Sequence, residues 1–241
     1  MLINFHTHSQ YSTPTNSEIL KIYSYDFYEI TRAKENLFNI PVTIGIHPWY
    51  ISGDFEFQLK QFIDFVNKTM NNNNFLAIGE CGLDRSSHAI MPFEIQTIVF
   101  AEQLKLANKI NKPIIVHCIK SYPEVIKLRK DLNLQHLTMI FHNYNANEQI
   151  TNELLKNKNN YFSFGIQLLE NKKLQSLLKK IPLNQIFFET DNIDDDIKLA
   201  QLYQFAVNEL KVADNVRTLS YIIEDNFTHI FKIGIDSINN G

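Results

Sequence analysis

The sequence predicts an α/β fold, a distorted TIM-type (β/α)8 barrel whose first helix is missing or shortened. Three observations predict it. Short apolar runs rich in Ile, Val and Phe recur without polar alternation, as in strands covered on both faces. Amphipathic stretches with helical spacing follow them. Eight such strands in 241 residues suit one β/α barrel.

The candidate strands are Leu2–Phe5, Ile19–Tyr23, Val42–Ile46, Phe75–Ile78, Pro113–Val116, Leu137–Phe141, Tyr161–Phe164 and Gln185–Phe188. Between the first two lies a polar loop, Ser9 to Glu18, where no helix is expected. The stretch from Asp54 to Met70 carries Phe55, Leu59, Phe62, Ile63 and Val66 at helical spacing. The stretch from Pro92 to Ile110 has proline in its first turn, then Phe100, Leu104 and Ala107 on one face. Further helices are expected at Tyr122–Leu132, Asn147–Lys156, Lys172–Lys179, Asp194–Leu210 and Asn215–Phe231, the last capped by Asp214 or Asn215. The Asn71–Asn74 run reads as a loop. There is no linker or internal repeat, so residues 1–241 are expected to form a single domain.

Apolar residues make up 44% of the chain, which supports a core and excludes global disorder. The net charge is −3, from 23 basic and 26 acidic side chains. That excludes a general polyanion coat, so any nucleic-acid contact is local. Two cysteines, Cys81 and Cys118, are too few for a disulfide framework, and their apolar surroundings predict buried thiols. The opening residues MLINFHTHSQ lack the pattern of a signal peptide, and no apolar window approaches about 18 residues. A cytoplasmic protein is expected, with no membrane contact and no obligate protein partner.

The metal-capable residues fall after the strands. His6 and His8 follow the first, His47 the third, Glu80 the fourth, His117 the fifth, His142 the sixth and Asp191 the eighth. In a β/α barrel the C-terminal strand ends converge on one mouth, where active sites sit. His6 and His8 point to the same side of an extended chain. Glu80, amid Ala77, Ile78, Gly79, Cys81 and Gly82, needs a partner if buried. Four imidazoles and two carboxylates can hold two divalent cations, one carboxylate being shared. Water on such a cation loses a proton near neutral pH, and a cation pair can hold the attacking and leaving oxygens of a phosphoryl displacement. Mixed imidazole and carboxylate donors suit Zn, Mn, Fe, Co or Ni.

Seven segments carry a resemblance. They are Ile3-Asn4-Phe5-His6-Thr7-His8, Gly45-Ile46-His47-Pro48, Ile78-Gly79-Glu80-Cys81-Gly82-Leu83-Asp84, Pro113-Ile114-Ile115-Val116-His117-Cys118, Ile140-Phe141-His142, Tyr161-Phe162-Ser163-Phe164-Gly165 and Glu189-Thr190-Asp191. Asn226-Phe227 also fits. The chain resembles the TatD-like metal-dependent deoxyribonucleases, a branch of the amidohydrolase-type barrels, and looks closest to their short members. The resemblance implies a divalent-metal-dependent phosphodiesterase, a 3′-to-5′ exodeoxyribonuclease using a metal-bound hydroxide, and adds Mg or Mn as working metals. His6, His8, Glu80 and Asp191 would hold the first metal. His117 and His142, with Glu80 as the bridge, would hold the second. Asp191 would take the proton from the attacking water, and His47 would contact the substrate or donate a proton. Asp84 is expected to orient a ligand or to form a turn.

The chain also departs from the family pattern. Asn4 stands where the family usually has Asp, Ile119 where many nucleases have Arg, and Lys120 is the replacement candidate for a phosphate contact. After Asp191 the acidic run Asp194–Asp196 leads almost at once into a helix, where the larger members have a substrate-side loop. These departures bear on the DNA substrate rather than on the metals. Two alternatives therefore stand beside DNA ends as substrate. One is a metal-dependent hydrolase of a small phosphoester, amide or lactone, since the fold hosts many chemistries. The other is a metal-binding protein without catalysis.

Overall fold

The computed structural model describes residues 1–8, 18–30, 37–193 and 195–238. Along the chain run β1 (Leu2–Thr7), β2 (Ile19–Asp26), α1 (Phe27–Ile30), β3 (Val42–Gly45), α2 (Phe55–Thr69), β4 (Phe75–Asp84), α3 (Phe93–Lys109), β5 (Ile114–Ile119), α4 (Tyr122–Asp131) and β6 (Met139–Phe141). Then follow α5 (Glu148–Leu154), β7 (Asn160–Phe164), α6 (Lys172–Leu178), β8 (Ile186–Phe188), α7 (Asp196–Asn208), α8 (Val216–Phe231) and α9 (Ile235–Ile238). Every expected strand and helix is present. The expected loop at Ser9–Glu18 lies, except for Glu18, outside the described residues. The four-residue helices α1 and α9 went unforeseen because each is shorter than one amphipathic repeat.

Helix starts follow side-chain chemistry. Asp54 accepts from Phe57 N, Asn147 from Ile150 N, Asn171 from Leu174 N, and Asn215 from Thr218 N. Each satisfies an amide left without a partner by the first turn. Among the described residues no helix is long and apolar enough to cross a membrane.

The described residues fall into two compact units, one within 1–23 and 142–238, the other within 24–141. In the first, β7 pairs with β8 and β1 with β2, all parallel. A parallel bridge joins Thr7 of β1 to Asp191, just past the end of β8. Phe5 stacks on Phe187 with ring centroids 4.1 Å apart. The buried Tyr203 hydroxyl on α7 accepts from Ile3 N and donates to Ile3 O, which ties α7 to β1. Asn226 on α8 donates to the carbonyls of Leu183 and Ile186 just before and within β8.

In the second unit β3, β4, β5 and β6 are parallel neighbours in that order. Gln103 of α3 accepts from Ile46 N and donates to Ile46 O, capping the end of β3 from within the core. Arg129 donates to the carbonyls of Leu134, Gln135 and Leu137, and burial lowers its guanidinium to about 10. β4 extends to Asp84, beyond the expected Ile78, because its glycine-bearing end lacks apolar signal yet still pairs with β5.

That pairing depends on Gly82. A Cβ there would lie 1.9 Å from His117 O, and the residue sits at φ +156°. Gly82→Ala should push β4 from β5 and cost roughly 3 kcal/mol. Thermal unfolding of the purified variant measures it, and an unchanged midpoint would contradict the close approach.

Candidate metal centre

Within each unit a cluster of metal-capable side chains stands at strand ends. In the first unit, donor atoms of His6, His8 and Asp191 all lie within 4.8 Å of one another. His6 Nε2 and His8 Nε2 are 3.1 Å apart, and His8 Nε2 is 3.6 Å from Asp191 Oδ1. Two imidazole nitrogens and a carboxylate oxygen thus aim at one point. Strand pairing produces this: Asp191 N donates to His6 O, and His8 N and Thr7 Oγ1 donate to Asp191 O. Asp191 sits at φ +54°, a left-handed conformation that Asp tolerates better than most residues. Asn143 Nδ2 donates to Asp191 Oδ2 at 3.1 Å and fixes the carboxylate.

Beside this cluster the His142 ring lies 4.5 Å from that of His6, centroid to centroid. His142 Nδ1 is 3.3 Å from Glu189 Oε1, which also accepts from Asn143 N at 2.8 Å. Glu189 is wholly buried. Burial pushes its carboxyl up, but the His142 hydrogen bond and the charges of His142 and His6 outweigh that and hold it below its ordinary value. Its second oxygen, Oε2, has no hydrogen-bond partner among the described residues. Ser163 Oγ approaches the carboxylate without reaching hydrogen-bond geometry.

In the second unit, Glu80 Oε1 is 2.7 Å from His117 Nδ1 and 3.2 Å from His47 Nε2. The other His117 nitrogen, Nε2, is 3.0 Å from Asp84 Oδ2. Asp84 also accepts from Trp49 Nε1 at 2.6 Å and from Ser86 N at 2.6 Å. Burial opposes its charge, yet the bonds from His117, Ser86 and Trp49 prevail and hold it well below the usual carboxylate range. Asp84 thus faces His117 with one oxygen and accepts from the amide of Ser86 with the other. Behind His47, Asp26 accepts from His47 N and Tyr28 N. Burial, above all, raises Asp26 to about 7, against those bonds and with Glu29 and Glu80 adding to the rise.

Of the expected site residues, His6, His8 and Asp191 come together, and Glu80 meets His117. His47, expected to contact substrate, reaches Glu80 directly. His142 stands with His6 and Glu189 in the first unit. Lys120 is exposed at the end of β5 in a left-handed conformation. Cys81 is buried as expected, whereas Cys118 is only half-buried at the end of its strand, and burial keeps both free thiols protonated. Sequence reasoning missed Glu189, Asn143, Trp49 and Asp26. Glu189 carried a usable signal, since it is a carboxylate immediately after β8, where a β/α fold places its chemistry. The others are positioned by tertiary contacts alone.

Imidazole and carboxylate donors converging in this way fit a divalent cation. Residues 7–232 match the family described as TatD related DNase. The chain belongs to that family. A metal-dependent hydrolase of Bacillus subtilis, YabD, is 28% identical over 79% of this chain and 80% of its own length. The 3′-5′ ssDNA/RNA exonuclease TatD of Pectobacterium parmentieri is 30% identical over 62% of this chain, and the match spans 56% of its own length. The crystal structure of YjjV, the TatD homologue of Escherichia coli, has the same fold, with a TM-score of 0.78, 19% identity, and coverage of 96% of this chain and 98% of that one. The α/β fold with eight parallel strands is accordingly that of the TatD family, and the chain is a metal-dependent hydrolase.

Two outcomes follow. Glu189→Gln weakens the support behind His142 and should lower metal affinity by about 10–100-fold, read by metal titration, while the unfolding midpoint of metal-free protein changes little. Asp26 holds its proton more tightly folded than unfolded. Its contribution is therefore complete below its ordinary value of 3.8 and is lost as pH rises through about 7. The stability of metal-free protein should fall across that window by up to about 1.4 kcal/mol per pH unit relative to Asp26→Asn. Unfolding curves of both proteins from pH 4 to pH 8 check it.

Proposed function

We propose that this TatD family member is a divalent-metal-dependent phosphodiesterase that removes nucleotides from the 3′ end of single-stranded nucleic acid, as a single-domain cytoplasmic enzyme. The observation that carries the reading is the convergence of His6, His8 and Asp191 with a buttressed carboxylate. The named activity of the Pectobacterium relative supports the substrate. His6, His8, Glu80, His117, His142 and Asp191 are the proposed ligands for two cations, Mg, Mn or Zn. A divalent cation bound there acidifies water and offsets charge on a phosphoryl oxygen.

The chain's own groups do the rest. Asp191 takes the proton of the attacking water. Its Oδ2 is engaged by Asn143, while Oδ1 lies on the His8 side, which leaves each carboxylate oxygen a distinct task. Glu189 keeps His142 in one orientation, and Asp84 does the same for His117. Lys120, exposed beyond β5, supplies a phosphate contact in place of the family's arginine. His47 is drawn to Glu80 and acts at the reacting phosphate from that position.

Asp191→Asn should lower hydrolysis of 3′-labelled single-stranded DNA by about 10²–10⁴-fold while metal stays bound. Chelation should abolish hydrolysis, and added Mg, Mn or Zn should restore it. Elemental analysis alongside the assay counts the ions. Full turnover by Asp191→Asn with metal bound would reject the assigned base. Turnover confined to a small phosphoester would reject the nucleic-acid substrate.

A further inference from the structure

We propose that Trp49 and His88 form a stacking platform for a nucleobase of the substrate, joined directly to the Glu80–His117 cluster. The proposal deepens the nucleic-acid reading above and rests on it. Trp49 is the only tryptophan in the chain. It follows the end of β3, and His88 lies in the loop after β4. The two rings are near parallel, with centroids 4.9 Å apart and planes 29° apart. Trp49 is half-buried, and His88 is exposed. On its inner side Trp49 meets the His47 ring edge-on at 4.8 Å and the His117 ring at 5.9 Å. Tyr50, 52% exposed, lies 5.8 Å from the His47 ring. Rings therefore run without a break from the candidate ligands to solvent.

Asp84 sets the platform's position. Its Oδ2 accepts from Trp49 Nε1 and faces His117 Nε2, and its Oδ1 accepts from Ser86 N. Ser86 Oγ in turn accepts from His88 N and lies 3.3 Å from His88 Nδ1. A single carboxylate, 1% exposed, thus fixes both ring-bearing loops and a candidate metal ligand. A base stacked on the outer ring would sit at a set distance from the reacting phosphate. Charge gives a second reason. With a net charge of −3 the chain has no broad basic field to hold a polyanion. Stacking supplies affinity that every base can use and that needs no such field.

The test reads Trp49 emission while magnesium-loaded protein is titrated with a single-stranded phosphorothioate oligothymidylate or with an abasic oligomer of the same length. The base-bearing oligomer should change the emission and bind about tenfold more tightly than the abasic one. His88→Ala should bring that ratio close to one, and His88→Phe should restore it. Equal binding of the two oligomers by the unaltered protein, or an unchanged ratio in His88→Ala, overturns the platform. If unmodified DNA is still degraded in that case, the nuclease reading survives alone. Base-dependent binding without any DNA hydrolysis would keep the platform and reject the nuclease reading.

Discussion

Glu80, Asp84 and Glu189 are carboxylates almost wholly withdrawn from water, at 5%, 1% and 0% exposure. An unaccompanied charge in such a place costs several kcal/mol, so each must be matched. The matches are imidazoles. His117 stands between Glu80 and Asp84, His47 adds to Glu80, and His142 backs onto Glu189. Imidazole suits the task because it can donate a hydrogen bond through one nitrogen and offer a lone pair through the other. The same pairing that makes the carboxylates tolerable thus orients the histidines for a cation. Glu189 is matched on one side, since Oε1 meets His142 and Asn143 N while Oε2 makes no hydrogen bond among the described residues.

Much of this was legible in the sequence because it is local. Short runs rich in Ile, Val and Phe marked all eight strands, and Asp54, Asn147 and Asn215 marked helix starts that their side chains do cap. The ligand candidates were legible because strand ends are where a β/α fold places chemistry. What stayed hidden depends on contacts remote in sequence. Trp49 reaches Asp84 across 35 positions, and Asn143 reaches Asp191 across 48. No periodicity records such pairings. The true end of β4 was hidden for another reason. Gly79 and Gly82 read as a break, yet the structure needs them where β5 carbonyls approach too closely for a side chain.

The departures from the family pattern also find physical answers. Asn4, neutral where a carboxylate is usual, donates to Thr190 Oγ1 and accepts from Thr190 N, so it stitches β1 to the residue before Asp191. The acidic run before α7 is largely spent on structure. Asp195 caps the helix through Ile197 N and Lys198 N, and Asp196 pairs with the buried Lys21 ammonium at 2.8 Å. An acidic side chain paired in this way repels a polyanion far less than its formal charge suggests. Asp194 lies outside the described residues.

The first-unit cluster owes its geometry to backbone rather than to metal. Asp191 is held to His6, Thr7 and His8 by three bonds that involve its own N–H and C=O, and its conformation is set before any ion arrives. A cation binding there therefore pays little ordering entropy, which is the thermodynamic meaning of a preorganised site. The second-unit cluster is built the opposite way, from side chains clasping side chains around Asp84 and Glu80. Both His117 nitrogens already face carboxylates, so ligation by His117 requires one of those contacts to be exchanged. The contrast is one of construction: backbone bonds set the position of Asp191 in one cluster, and side-chain contacts set Glu80, Asp84 and His117 in the other.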